Sequence, residues 1–152
     1  MTLDDDGISR LKPHPFLDSS IQDPDVPRFE ALGTTGSNVY AGLETFPNPG
    51  CILVTYASDE LMCKCPITGQ PDFYNIAIKL NETDRCIESK SLKLFFQNIM
   101  VISMTSEFGA FCESLAIYIR DQVRDALGCD VEQVSVRLTQ KSRGGISIEA
   151  IA

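Results

Sequence analysis

The stretch FYNIAIKL, Phe73–Leu80, carries the clearest secondary-structure signal in the chain. Ile76, Ile78 and Leu80 recur at every second position, so all three would lie on one face of an extended strand. A period of two residues is typical of a β-strand that is buried on one face. The sequence therefore predicts a half-buried strand over these residues.

Three further stretches predict strands before and after this one. CILVTYA (Cys51–Ala57) is an apolar run of the kind found in strands. VEQVSVRL (Val131–Leu138) alternates, and GISIEAI (Gly145–Ile151) repeats the pattern with Ile146 and Ile148. Two predicted strands therefore lie in the first half of the folded region and two near the end of the chain.

Two helices are predicted between these pairs of strands, because apolar residues recur there at intervals of three and four. The first covers SLKLFFQNIM (Ser91–Met100). The second begins near Ser106, a residue type favoured at N-caps, and ends at Gly128. The apolar stripes are Leu92, Phe95, Phe96 and Ile99 on the first helix and Phe108, Phe111, Cys112, Leu115, Ile119, Val123 and Ala126 on the second.

The order strand, strand, helix, helix, strand, strand favours an α+β fold, an antiparallel sheet with two helices on one face. Such a sheet leaves a bare edge at each end, and assembly into a larger barrel is a common way to cover the edges. Residues 1–30 are rich in acids and prolines without periodicity, so we expect a flexible N-terminal extension before a domain at 31–152.

Composition limits the classes of function. The chain has 152 residues with a formal net charge of −8, which argues against a nucleic-acid partner. No apolar run approaches the ~20 residues needed to span a bilayer, so no membrane partner is expected. The start, MTLDDDGISRLK, is acidic where a signal peptide would be basic and then apolar, and we therefore expect a cytoplasmic protein.

Six cysteines are present, and without a signal peptide reduced thiols are expected. Cys63 and Cys65 form a CxC pair that could supply half of a metal site. The single histidine is His14, and no second cysteine pair has zinc-finger spacing, so we predict no metal.

CPITGQPDF, Cys65–Phe73, offers a thiol and a carboxyl on either side of a turn. Cys65 could act as a nucleophile if Lys64 or Lys90 lowered its pKa, with Asp72 as the proton donor. Alternatively, Cys65 is a small buried residue and Asp72 a turn residue. The local pattern leaves both interpretations open.

Charged residues mark the starts of both predicted helices. In CIESKSLKLFF, Glu88 or Ser89 could begin a helix on which Lys90 and Lys93 share a face. Two lysines and free backbone N–H groups at a helix start can bind phosphate, although a solvated basic face has the same spacing. In GAFCESL, Glu113 could accept hydrogen bonds from a guanine-type edge or could be an ordinary exposed glutamate.

Taken together, LETFPNPG, CPITGQPDF, ESKSLKLFF and RGGISIE closely resemble the NADPH-dependent 7-cyano-7-deazaguanine reductases, the nitrile reductases of queuosine biosynthesis, in their single-module form. The resemblance runs from about Leu32 to Ile148. It implies the tunnelling fold (T-fold), in which subunits join their sheets into a multi-subunit barrel. It also implies self-association into rings, with a small deazapurine substrate bound at sites between subunits.

The resemblance implies a role for each motif. The Cys65 thiolate would add to the nitrile carbon to give a thioimide, Asp72 would protonate the nitrogen, and NADPH would deliver hydride twice. The residues implied in substrate binding are Ile87, Glu88, Ser89, Cys112 and Glu113, and those implied in binding NADPH are Ser89, Lys90 and Lys93.

Two features depart from the family pattern. Cys112 stands where the family has histidine before Glu113, and the segment around Ile99 to Thr105 is several residues longer. Two alternatives therefore remain: an amidinotransferase that acts on 7-cyano-7-deazaguanine in tRNA in archaeosine synthesis, and a non-catalytic deazapurine-binding subunit. Retention of the NADPH motif and of Cys65 and Asp72 favours the reductase.

Overall fold

The fold is built from two antiparallel sheets and two helices, as seen in a computed structural model that describes residues 40–105 and 109–152. The predicted extension 1–30, His14, Ser106 and Phe108 lie outside the described residues. The elements are β1 Thr45–Pro47, β2 Leu53–Lys64, β3 Pro71–Asn81, β4 Arg85–Ile87, α1 Ser89–Thr105, α2 Cys112–Leu127, a 3-10 turn Val131–Gln133, β5 Val134–Arg143 and β6 Ile146–Ile151. The predicted α+β class is confirmed.

The main sheet has four antiparallel strands in the order β2-β3-β5-β6. Ile78, at the centre of β3, is registered against Tyr56 on β2 and Val136 on β5. Alternate residues of β3 are buried, which confirms the predicted face of Ile76, Ile78 and Leu80. The sheet therefore presents one apolar face to the helices.

Both helices pack against this face in a single core. Phe95 and Ile99 on α1 and Leu115 and Ile119 on α2 belong to the same buried cluster as Ile78. The helical spacing of the apolar residues thus predicted the buried sides of both helices. Burying each such side chain contributes roughly 1.5–3 kcal/mol.

The two ends of α2 differ in how well they were predicted. Gly128 closes the helix with φ +63°, and its N–H donates to the carbonyls of Arg124 and Asp125, as expected for a glycine stop. The predicted start near Ser106 is wrong, because the helix begins at Cys112 after Phe111, which is exposed. Gly109 is non-helical and packs against the end of β2, so tertiary contact overrides the local helical pattern there.

A second sheet was not predicted. β1 and β4 pair antiparallel over three residues each, with Phe46 opposite Cys86. Arg85 strengthens the pairing, since its Nε donates to the Thr45 hydroxyl at 2.8 Å and one terminal nitrogen donates to the Thr45 carbonyl at 2.9 Å. This sheet holds the chain in place directly before α1 begins.

Both edges of the main sheet are lined with exposed apolar side chains. Leu53 on β2 is 55% exposed, and Ile146 and Ile151 on β6 are 70% and 61% exposed. The apolar residues of β6 thus alternate as the sequence predicted, but in the single chain they are exposed. None of the helices in the described ranges combines the length and hydrophobicity needed to cross a bilayer.

Candidate active site

Cys65 lies in the tight turn between β2 and β3. Two backbone hydrogen bonds close the turn, from Cys65 N–H to the Gln70 carbonyl at 2.8 Å and from Gly69 N–H to the Cys65 carbonyl at 3.0 Å. Gly69 has φ +68°, a conformation that glycine adopts without strain. The half-buried Cys65 side chain is thus presented by a turn with a fixed backbone.

The pKa of the Cys65 thiol is lowered from its ordinary value by the turn itself. The largest cause is the side-chain hydroxyl of Thr68, followed by the backbone N–H groups of Thr68 and Ile67. These donors stabilise a thiolate, while the charge of Asp72 opposes them. The sequence offered Lys64 and Lys90 as candidates for this role, whereas the groups that lower this pKa in the structure belong to the turn itself.

Asp72 is the second residue of β3, and its side chain is almost fully buried beside the turn. Arg143, at the end of β5, donates to Asp72 Oδ1 at 2.6 Å and also contacts the side-chain oxygen of Gln70. Arg143 therefore supplies the countercharge for Asp72 and ties it to the Cys65 turn. Sequence reasoning missed this role of Arg143, although the basic residue immediately before Gly144 in RGGISIE was a signal that could have revealed it.

A cavity of about 250 Å³ is lined by four of the predicted site residues. They are Cys65 and Asp72 beside the turn, and Cys112 and Glu113 at the start of α2. Its buried wall includes Tyr74, whose pKa is raised first by burial and then by the charge of Asp72. The cavity lining also includes Gln140 and Ile148, which like Tyr74 were not among the predicted site residues. This cavity is the candidate active site.

Cys112 and Glu113 differ in exposure although they are neighbours. Cys112 is only 2% exposed, and its thiol donates to the Leu138 carbonyl at 3.6 Å. Burial, and then the charge of Glu113, raises the pKa of Cys112. Glu113 is exposed on the first turn of α2, so its carboxylate is open to a ligand in the cavity.

The motif at the start of α1 lies elsewhere. Ile87 is buried, and Tyr56 fixes its backbone by donating to the Ile87 carbonyl and accepting from the Ile87 N–H, each at 2.9 Å. Burial raises the pKa of Tyr56 to about 12, so its hydroxyl keeps its proton at neutral pH. Both backbone groups of Ile87 are thus hydrogen-bonded to Tyr56, and its side chain is buried in the core of the same chain.

Glu88 caps α1 with its side chain. Its two carboxylate oxygens accept hydrogen bonds from the backbone N–H groups of Lys90 at 2.8 Å and Ser91 at 2.7 Å. The Ser91 hydroxyl donates back to the Glu88 carbonyl at 2.8 Å. The N–H groups of Lys90 and Ser91 are therefore not free to bind phosphate, which was one of the two interpretations of this helix start.

A separate groove of about 440 Å³ runs between β2 and α1. Ser89 and Lys93 line it, together with Tyr56 and Phe96. Lys90 is half-exposed but does not line this groove. Of the residues expected to bind a cofactor, Ser89 and Lys93 are thus brought together.

Cys65 and the basic motif lie toward opposite ends of α1. Ser103, near the end of the helix, accepts a hydrogen bond from the Lys64 N–H beside Cys65, whereas Lys90 is in the first turn. Thirteen residues of α-helix rise by about 20 Å. One chain therefore keeps its thiol and its basic motif too far apart to meet on one small substrate.

The thiols and acids of the described region suggest no metal centre. All six cysteines fall within it and are free. Within residues 40–105 and 109–152, no three histidine, cysteine or acidic side chains are grouped so that they could hold an ion.

Comparison with known proteins identifies relatives over most of the chain, although no family model matches it. A NADPH-dependent 7-cyano-7-deazaguanine reductase of Frankia casuarinae is 37% identical over 120 residues, which is 78% of this chain and 90% of the relative. A protein of the same name from Syntrophobacter fumaroxidans is 38% identical over 117 residues, covering 73% of this chain and 68% of the relative.

A solved structure shares the fold. The archaeosine synthase QueF-Like, in its apo form, superposes with a TM-score of 0.50 at 18% identity, over 68% of this chain and 93% of that one. At this identity the likeness concerns the fold alone. It supports the T-fold predicted for the single subunit.

Proposed function

Because the chain belongs to the family of NADPH-dependent 7-cyano-7-deazaguanine reductases, we propose that it reduces the nitrile of 7-cyano-7-deazaguanine to the aminomethyl group of 7-aminomethyl-7-deazaguanine. The observation that carries this function is the cavity shared by Cys65 and Asp72. A nucleophilic thiol and a proton carrier at one small cavity are what addition to a nitrile requires.

Cys65 is the nucleophile in this proposal. Its sulfur adds to the nitrile carbon, and one C–N π-bond pair moves to nitrogen, giving a covalent thioimide. The turn supports this step because its donors lower the pKa of Cys65 and so increase the thiolate fraction at neutral pH. Cys63 is fully buried and Cys112 is 2% exposed, which makes both poorer choices.

Asp72 carries the proton. Arg143 contacts Asp72 Oδ1 at 2.6 Å and holds the carboxyl beside the Cys65 turn, where it can take up a proton and pass it on. The Cys65 thiol gives that proton to Asp72 when it becomes a thiolate, and Asp72 passes it to the nitrile nitrogen as the S–C bond forms. The thiol hydrogen is thus added across the triple bond with no other reactant.

Glu113 is proposed to orient the base. An exposed carboxylate at the cavity can accept two hydrogen bonds from the N–H and NH₂ groups of a guanine-type edge. Cys112 contributes a buried wall, since its thiol is directed to the Leu138 carbonyl. Ser89 is exposed and would contribute to the base site from a second subunit, while the buried Ile87 and Glu88 hold it in position.

The groove between β2 and α1 fits NADPH in its chemistry. Lys93 offers a cation for a phosphate, the Ser89 hydroxyl offers a hydrogen bond, and Tyr56 and Phe96 provide apolar surface. When bound, NADPH supplies the hydride that reduces the substrate carbon. Lys90, half-exposed on the same helix turn, adds positive charge near the groove.

A complete site is proposed to require a second copy of the chain. The positions of Lys90 and Cys65 toward opposite ends of α1 support this, because the base beside Cys65 would not reach the basic residues at the start of the same helix. The free edges of β2 and β6, with exposed Leu53 and Ile146, would pair between subunits and close the sheets into a barrel. The sites would then lie at the junctions between subunits.

The reaction is tested by following NADPH absorbance with purified protein and 7-cyano-7-deazaguanine. The expected result is that two NADPH molecules are oxidised per base. NADPH oxidation should be lost in Cys65→Ala and in Asp72→Asn. Mass spectrometry should find an adduct of protein and base on the Cys65 peptide when NADPH is withheld. The buried Cys63→Ala variant serves as the matched thiol control and should keep the adduct.

Two outcomes would contradict the proposal. Flat NADPH absorbance with ammonia incorporated into modified tRNA would indicate an amidinotransferase instead. Binding of the base without adduct or turnover would indicate a binding subunit.

A further inference from the structure

The end of α1 is joined to the strand that presents Cys65. Ser103 is fully buried, and its hydroxyl accepts a hydrogen bond from the Lys64 N–H at 3.1 Å while it donates to the Met100 carbonyl at 3.0 Å. Lys64 directly precedes Cys65 in the chain. A single helix hydroxyl therefore holds the backbone on the amino side of the nucleophile.

Gly109 touches the same backbone from the connection between α1 and α2. A Cβ at this position would lie 2.8 Å from the Lys64 carbonyl oxygen, 3.0 Å from Pro66 Cα and 3.1 Å from Pro66 N. These atoms belong to rigid backbone on both sides of Cys65, so a methyl group could be accommodated only if the turn moved. Glycine is thus required here by close approach.

Cys63 shows that the two contacts act on one structure. Its buried thiol interacts with the Ser103 hydroxyl, the Ala110 backbone and the Lys64 carbonyl, which is 3.8 Å away. Burial raises the pKa of Cys63, and hydrogen bonds from Ser103 and from nearby backbone partly offset the effect. The end of α1 and the start of the next segment therefore meet on the last residues of β2.

We propose that Ser103 and Gly109 are positioning residues that clamp the backbone on either side of Cys65 and so keep the donors of its turn aimed at Sγ. This inference rests on the proposed role of Cys65 as the nucleophile. The segment from Ile99 to Thr105 at the end of α1 brings Ser103 to the active-site turn. We name Ser103 and Gly109 the Cys65 clamp.

The physical basis of the clamp is the precision that the thiolate needs. The Thr68 hydroxyl and the N–H groups of Thr68 and Ile67 stabilise the sulfur only at hydrogen-bond distance. Those donors and Cys65 share a short turn, so movement of its first residues changes every donor distance together. A displacement of about 1 Å at a reacting group can cost on the order of a hundredfold in rate.

The test measures the rate at which iodoacetamide alkylates Cys65 as a function of pH, read by mass spectrometry of its peptide. The variants are Ser103→Ala, which adds no atom, and Gly109→Ala. Thr105→Ala is the matched control, because the Thr105 hydroxyl also bonds a carbonyl of α1, that of Val101 at 2.6 Å, but the residue is exposed. Thermal unfolding of each variant sets a temperature at which all are folded.

Both clamp variants should move the midpoint of Cys65 alkylation to higher pH, and the control should not. A shift would show that the turn has moved, because the charged groups near Cys65 are the same in every variant. These groups are Lys64 on β2, Asp72 on β3, Arg143 on β5 and Glu113 on α2. In the reductase assay, kcat should fall about tenfold with a smaller change in KM for the base.

An unchanged midpoint and kcat in Ser103→Ala, with only a lower melting temperature, would overturn the clamp and leave Ser103 a structural residue. An equal shift in Thr105→Ala would overturn it as well. The alkylation measurement uses neither nitrile nor NADPH, so it separates failure of the clamp from failure of the proposed reaction.

Discussion

Replacing Glu88 should destabilise the fold more than it weakens binding of the base. The carboxylate accepts hydrogen bonds from the backbone N–H groups of Lys90 and Ser91, at 2.8 and 2.7 Å, and the residue is only 4% exposed. Glu88→Ala removes both acceptors at the start of α1. Loss of an N-cap acceptor typically costs about 0.5–2 kcal/mol, and the near-complete burial places Glu88 at the upper end, at about 2 kcal/mol.

This loss can be read as a melting temperature. For a domain of this size, each kcal/mol lowers Tm by roughly 2–4 °C, so Glu88→Ala should melt about 4–8 °C below the parent chain. Glu88→Gln keeps one carbonyl acceptor and should lose about half as much. Protein concentration must be held constant, because association changes apparent stability.

Glu132→Gln is the control for charge, since Glu132 is exposed in the short 3-10 turn before β5. It should change stability by less than about 0.5 kcal/mol. The reasoning would be refuted if Glu88→Ala melted with the parent chain while KM for the base rose tenfold. That result would place the carboxylate on the substrate and not on the helix.

Three further predictions concern the site. Thr68→Val removes the main donor that lowers the pKa of Cys65, so the alkylation midpoint should rise and the thiolate fraction at neutral pH should fall; an unmoved midpoint would assign the effect elsewhere. Arg143→Gln removes the countercharge 2.6 Å from Asp72 and should slow adduct formation about tenfold in single-turnover experiments, whereas an undiminished rate would exclude a role for the ion pair. Lys93→Ala should raise KM for NADPH about tenfold through loss of a charge-assisted hydrogen bond, with KM for the base unchanged; equal increases would argue against the groove.

The main sheet and both helices could be predicted because their signals are periodic. The recurrence of Ile76, Ile78 and Leu80 at every second position was enough to predict the buried face of β3. The end of α2 was predictable because glycine readily adopts the positive φ that Gly128 has there. The β1–β4 pairing could not be predicted, since strands of three residues are too short for a period to show. The late start of α2 depends on how Gly109 packs against β2, which the local sequence does not encode.

The thiol and acid of the site were predictable from their places on either side of one turn, but their immediate partners were not. Arg143 reaches Asp72 across 71 positions in sequence through the pairing of β3 with β5. Ser103 carries no motif, and its contact with Lys64 arises from the length of α1. Glu88 was predicted both as a possible helix start and, by resemblance, as a substrate-binding residue, and its hydrogen bonds show that it caps α1.

The opposite positions of Cys65 and Lys93 along α1 have a consequence for mixtures of defective chains. In the proposed assembly, subunits lacking the thiol would be inactive alone and subunits lacking the lysine would bind NADPH weakly, but each would retain the half that the other has lost. If subunits assemble as proposed, random mixing of equal amounts would give roughly a quarter of the junctions two intact halves. Co-refolded mutants should therefore complement one another and recover a corresponding fraction of turnover.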